Sequence, residues 1–193
     1  MRVCGLILVA ALFCWPGSVL ADASEQARLE RGEVIIHRVV VPGSEMPEAV
    51  VRGVVEAPPA RVWAVIDQCA RYPGRLPRVK AARELSRKGN VVICDVTIDM
   101  PFPFSDLRAK TRAVHTVRKD YFQRAWNLIE GDFKHNRGSW TFTPFAANTR
   151  RTLAVYRVHA LPNTPVPIWL QRKASETTLP KLFKALRKAS RGR

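Results

Sequence analysis

This chain has little of what most catalytic or metal-binding proteins display openly. Cysteine is scarce, with four residues at Cys4, Cys14, Cys69 and Cys94. None forms a CxxC pair, so a thioredoxin-like redox site has no support. No Ser-His-Asp set, paired carboxylates or His/Cys spacing suited to zinc is present, nor an acidic loop for calcium or a glycine-rich phosphate cradle. No metal or cofactor is therefore expected. Acidic residues are few, 16 against 32 Lys and Arg, which leaves a formal net charge of +16. Internal repeats and low-complexity segments are missing as well, and one domain is the simplest organisation for 193 residues. A domain of that size buries roughly 70% of its unfolded surface and folds without staple or metal.

Such a charge invites a nucleic-acid reading. Helix-turn-helix, zinc-finger and RNP-like signatures are all lacking, however, and the N-terminus points out of the cytoplasm. Arg2 precedes an unbroken apolar run from Gly5 to Phe13, Pro16 and Gly17 break the helix, and Val19-Leu20-Ala21 has the form of a cleavage site. The run is too short to anchor the chain across a bilayer. The expected organisation is a signal peptide over residues 1–21, a polar segment over 22–32 and a folded domain over 33–193, periplasmic or secreted after cleavage. Export would remove Cys4 and Cys14 and leave Cys69 and Cys94 where disulfides persist. Strand alternation turns Cys94 inward and helical spacing does the same for Cys69, so they are either one bridge or two separate buried thiols.

Along the mature chain, Asp22–Arg31 reads as a short helix or loose tail ended by Gly32. Glu33–Val41 and Glu48–Ala57 are β-branched runs separated by Pro42-Gly43-Ser44. Pro58-Pro59 opens a short helix carrying Val62, Val65, Ile66 and Cys69 on one face. From Val79 onward, strand-like segments follow one another: 79–87, 91–100, 107–118, 121–130, 133–144 and 151–160, with turns between them. The alternation of Val92, Cys94, Val96, Ile98 and Met100 against Asp95, Thr97 and Asp99 is the clearest of these signals. Pro101 and Pro103 keep the loop through Asp106 out of the sheet interior. A last amphipathic segment, 166–188, carries an apolar stripe of Leu179, Leu182, Phe183 and Leu186, and Pro180 is expected to kink or split it.

Specific residues in this order resemble the START-like superfamily, in particular its bacterial coenzyme Q-binding and polyketide cyclase/dehydrase-type branch. They are Ala57 to Trp63, Tyr72 to Pro77, Met100-Pro101-Phe102-Pro103-Phe104-Ser105-Asp106, Gly138-Ser139-Trp140-Thr141-Phe142-Thr143-Pro144 and Val166-Pro167-Ile168-Trp169-Leu170. Many START domains carry an Arg-Asp pair after the proline-rich loop, where this chain has Leu107-Arg108. The resemblance implies an α+β helix-grip fold, a curved antiparallel sheet wrapped around a long C-terminal helix. Such a sheet and helix leave a largely apolar space between them. Trp63, Met100, Phe102, Phe104, Leu107, Trp126, Trp140, Phe142, Tyr156, Trp169, Leu182 and Phe183 are the candidates to line it, with the loop bearing Phe102 and Phe104 as a lid.

The superfamily hosts lipid carriers, quinone binders, cyclases and hormone receptors on one scaffold, and the first expectation is a monomer that binds or carries a hydrophobic small molecule, such as a lipid or isoprenoid quinone, without catalysis. An anionic membrane surface is a second candidate partner, since Lys and Arg near such a surface gain about 1 kcal/mol each. The alternative is a cyclase or aromatase acting in the same pocket. His115 is the candidate proton-moving residue in that reading, because its strand parity turns it inward; Asp99, Glu130, Asp132, His135 and His159 are further titratable groups.

Overall fold

A computed structural model describes residues 17–102, 104–163 and 167–191. Residues 1–16, on which most of the expected signal peptide falls, Pro103, residues 164–166 and residues 192–193 lie outside the described residues. The elements are α1 (Gly17–Glu30), β1 (Ile35–Val39), β2 (Glu48–Val55), α2 (Pro59–Ile66), β3 (Val79–Lys88), β4 (Val91–Ile98), β5 (Leu107–Arg118), β6 (Tyr121–Gly131), β7 (Phe133–Phe145), β8 (Asn148–Pro162) and α3 (Ile168–Ser190). All eight strands form one antiparallel sheet in the order β1-β2-β8-β7-β6-β5-β4-β3. The helix-grip α+β architecture follows: α2 and α3 pack on each other and on the inner face of the sheet.

Turn chemistry builds most of the sheet, because six strands in succession are joined by short connections. Gly89 (φ 57°) takes the left-handed conformation in the β3–β4 turn. The β7–β8 hairpin is less expected. Phe145 pairs with Asn148, so the turn is two residues long, and both Ala146 (φ 49°) and Ala147 (φ 59°) are left-handed. That turn type favours Asn-Gly over alanine.

The core lies between the inner face and the two helices, with Val51, Val55, Val62, Ile66, Phe142, Phe183 and Leu186 almost fully enclosed. Burying each such side chain contributes about 1.5–3 kcal/mol. A β-carbon at Gly53 would lie 2.6 Å from Cδ1 of Phe183, so the bare backbone of β2 is what lets this ring seat. The expected short helix stops at Ile66, and Cys69 sits on a separate 3₁₀ turn, Cys69–Arg71. There it is bonded to Cys94 of β4, with a Cα–Cα distance of 6.4 Å.

Two local features need a physical reason. The alternation in β2 makes Val54 a solvent-facing residue, yet it is buried, because α1 lies on the outer face and Leu29 joins Ile35, Val54 and Phe145 in a small second core. Residues 22–30 are thus a docked helix, one that also runs through the expected cleavage point after Ala21. Pro180 does not split the last helix either: α3 is continuous across it. Lacking an N–H, Pro180 leaves the carbonyl four residues earlier, on Glu176, without its helical bond.

Candidate functional site

The inner face reads as rows, because residues paired across antiparallel strands share one side of the sheet. One row runs His115, Arg124, Trp140 and Tyr156 across β5, β6, β7 and β8. Its neighbour places Trp126 opposite Gly138, and a β-carbon at Gly138 would collide with the Trp126 ring. Glycine at that point makes room for the indole against the sheet. Trp126 then stacks on Tyr156 at 5.8 Å and donates its Nε1–H to Asn136 Oδ1 at 3.0 Å, while Trp140 meets Tyr156 at 4.4 Å.

Above these rings lies a cavity of about 260 Å³. The sheet contributes Val79, Val96, Ile98, Ala109, Thr111, Arg124, Trp126, Asn136, Trp140 and Tyr156 to it. The segment after the 3₁₀ turn gives Tyr72, Leu76, Pro77 and Arg78, and α3 gives Thr178, Leu179 and Leu182. A second space of about 230 Å³ adjoins it, sharing Arg78, Ile98, Thr178 and Leu179 and roofed by Met100, Pro101 and Phe104 of the proline-rich loop. The wall is mostly apolar with a few fixed polar groups, the composition of a small-molecule site. Burial pushes the Tyr72 and Tyr156 phenols up, so both stay protonated; Tyr72 donates to the Ile66 carbonyl at 2.7 Å.

Of the residues proposed from sequence, Trp126, Trp140, Tyr156 and Leu182 meet on the main cavity, and Met100 and Phe104 on the adjoining one. The others stand elsewhere. Phe142 and Phe183 belong to the filled part of the core, under the helices. Leu107 packs with Ala109, Phe133 and Met100 beside the cavities without lining either. Trp63 sits edge-on to His115 at 4.9 Å and beside Phe122, and faces an outer polar depression. Phe102 is 96% exposed and Trp169 66% exposed, so neither ring points into the cavity. Inward parity does not distinguish a residue covered by a helix from one left facing empty space, which is the reason for this division.

Arg124 was missed, although Phe122, Arg124 and Trp126 share a parity that should have flagged a cation on an apolar face. It is 4% exposed. Its Nη1 donates to His115 Nε2 at 2.6 Å and its Nη2 to Cys94 Sγ at 3.1 Å. A guanidinium has only donors, so Nε2 must carry the lone pair and the His115 proton sits on Nδ1. That N–H faces Asp67 Oδ1 at 3.3 Å. Burial first, and the neighbouring Arg124 charge second, lower the His115 pKa to about 4, against which Asp67 acts weakly. With both nitrogens engaged and the ring outside the cavity wall, His115 holds Arg124 in place and presents no base to the cavity.

The other titratable candidates lie apart. Asp99 pairs with Arg78 at the mouth, at 3.1 Å. Glu130 pairs with Lys110 on the outer surface, and Asp132 accepts the Arg108 N–H. His135 and His159 stack on each other at 4.1 Å, with His159 Nε2 against the Met46 carbonyl at 3.0 Å. Where START domains often have an Arg-Asp pair, Arg108 turns outward and grips the buried Asp95 carboxylate through two bonds of 2.9 Å. Among the described residues no cluster of three or more His, Cys, Asp or Glu is placed to hold a metal ion.

A sequence model of the family described as polyketide cyclase/dehydrase and lipid transport matches residues 55–187. No curated protein matches the chain in sequence. Among solved structures, a STAR-related lipid transfer protein from Xanthomonas axonopodis is similar at 19% identity and TM-score 0.72, covering 82% of this chain and 94% of that one. Human StAR-related lipid transfer protein 5 is similar at 13% identity and TM-score 0.65, with 90% and 94% covered. The Zhui aromatase/cyclase from Streptomyces sp. R1128 is similar at 16% identity and TM-score 0.56, with 74% and 90% covered. At these identities the likeness is one of fold. The sheet, the grip of α3 and the match over residues 55–187 together make this chain a member of the polyketide cyclase/dehydrase and lipid transport family, within the START-like superfamily.

Proposed function

We propose that the protein is exported and carries one hydrophobic molecule, a lipid or an isoprenoid quinone, in the cavity between the sheet and α3. The observation that carries this reading is the cavity itself: an apolar wall built from Trp126, Trp140, Tyr156, Leu179 and Leu182 that the protein's own side chains leave unfilled. Such a wall gains free energy from any apolar guest at about 25 cal/mol per Å² removed from water. Non-catalytic carriage is favoured over cyclase chemistry because, among the described residues, the main cavity wall holds no carboxylate and no imidazole. Its ionisable members are two protonated tyrosines and two arginines.

Delivery at a membrane fits the rim. Phe104 of the proline-rich loop and Gln171 of α3 line the same outer space, so the exposed Phe102 and Trp169 stand on the two sides of the mouth. Aromatic rings partition to a bilayer interface, and a basic protein is drawn to anionic head groups. The bridge between Cys69 and Cys94 accords with an oxidising compartment. The reading is tested by solvent extraction of protein purified from its native host, mass spectrometry of the extract, and thermal unfolding with a panel of lipids and quinones. A guest at a hundredfold excess over its Kd adds about 2.7 kcal/mol, which raises Tm by roughly 5–11 °C. A protein that emerges empty and is protected by no apolar compound refutes it.

A further inference from the structure

The cavity contains one group that an oily guest alone does not explain. The Arg124 side chain lies on its wall, buried, with its hydrogen bonds directed to a neutral imidazole and to a disulfide sulfur. Among the described residues no Asp or Glu forms an ion pair with it. The carboxylates nearby are already engaged: Asp67 and Glu84 both bind Arg87, and Asp67 also takes the Nδ1–H of His115. A buried charge left without a partner is costly, and such groups are kept where they serve a site. Arg78, the other arginine on the wall, sits at the mouth with its charge paired to Asp99. The cavity therefore has an ion-paired arginine at its entrance and, inside, one whose guanidinium contacts no carboxylate and feels Glu84 only at longer range.

We infer that the guest is a single-chain amphiphile bearing one carboxylate, and that Arg124 receives that carboxylate while the chain extends along the apolar wall toward Met100 and Phe104. This deepens the carrier reading and rests on it. One guanidinium calls for one negative charge, its planar fork takes a carboxylate bidentately, and in a space of about 260 Å³ a carboxylate is a smaller head than a phosphodiester. The main cavity, about 260 Å³, lies at or just below the lower end of small-ligand sites, so it suits one chain with its tail in the adjoining space. His115 is a positioning residue: its lone pair orients Nη1, and its own proton is held by Asp67.

The test compares binding of decanoate, decan-1-ol and acetate to the intact protein, at a pH where the acid is ionised, by calorimetry. The wild type should bind decanoate about tenfold or more tighter than the alcohol, the scale of a charge-assisted bond, and acetate far more weakly than either. Arg124→Gln should abolish the preference for decanoate over the alcohol, with far-UV circular dichroism and thermal unfolding showing separately that the variant is folded. Equal binding of acid and alcohol by the wild type, acetate binding as tightly as decanoate, or a preference for the acid that survives in R124Q would each overturn the inference while leaving the carrier reading intact. If neither long-chain compound binds, this inference fails, and the extraction and the lipid and quinone panel decide the carrier reading by themselves. Should R124Q not fold, the wild-type comparison decides alone.

Discussion

His115 makes the protein's stability depend on pH in a way that can be isolated. In the folded state its Nε2 faces Arg124 Nη1 at 2.6 Å and its ring is buried, which holds its pKa near 4 against 6.5 for a free histidine. Protonation would set a new N–H against a guanidinium N–H, so the unfolded chain takes up the proton first. The contribution is fully present above about pH 6.5 and is lost as the pH falls toward about 4. Linkage gives a loss of about 1.4 kcal/mol by about pH 5.5 and about 3 kcal/mol by about pH 4. The charged groups facing this ring, namely Arg124, Asp67, Arg87 and Glu84, are unchanged in His115→Gln, whose amide can accept from Arg124 and donate to Asp67. Urea unfolding of both proteins from about pH 7.5 to about pH 4 should therefore show the wild type losing about 3 kcal/mol more than the variant. Other titrations, including that of His135, cancel in the difference. Parallel pH profiles would refute the tautomer and the Arg124 contact together.

The remaining expectations concern the frame. Replacing Cys69 and Cys94 by alanine opens a loop with a sequence separation of 25, which loop entropy prices at about 3.5 kcal/mol, a fall in Tm of roughly 7–14 °C by calorimetry; an unchanged Tm would mean that the bridge constrains nothing. Ala147→Gly in the β7–β8 turn should raise stability by about 1 kcal/mol, because the left-handed backbone at φ 59° costs alanine more than glycine, and a loss on chemical unfolding would contradict the turn geometry. Gly53→Ala should cost about 1–3 kcal/mol, since the new methyl would lie 2.6 Å from Phe183, yet decan-1-ol affinity should hold, because Phe183 is not on the cavity wall.

Much of this fold is visible in residue patterns. Period-two alternation in Leu107, Ala109, Thr111, Ala113 and His115 places all five inward, and burial follows it along β5. Hairpin glycine at position 89 and the proline pair at 58–59 mark a turn and a helix start. The site was less legible for a physical reason. Whether an inward aromatic is core or wall depends on where α2 and α3 end, which is a tertiary matter: Phe142 and Trp140 are two residues apart on one face, and only Trp140 meets the cavity. The segment from Tyr72 to Arg78 forms one wall without any periodic signal, because the left-handed Arg78 and the 3₁₀ turn position it. Val54 departed from its alternation because a helix far from it in the local pattern, α1, covers it. The Ala146-Ala147 turn carries no turn-forming residue type, and cross-strand pairing on either side forces it.

Pro180 gives the terminal helix two halves with different allegiances. Leu179 just before it and Phe183 and Leu186 beyond it are clamped into the core, while the first three turns carry Gln171, Ala174 and Thr178 over the outer chamber. The junction is one backbone bond weaker than the rest of the rod. A rod bends at least cost where a rung is missing, so a change in the width of the outer chamber would leave Phe183 and Leu186 seated.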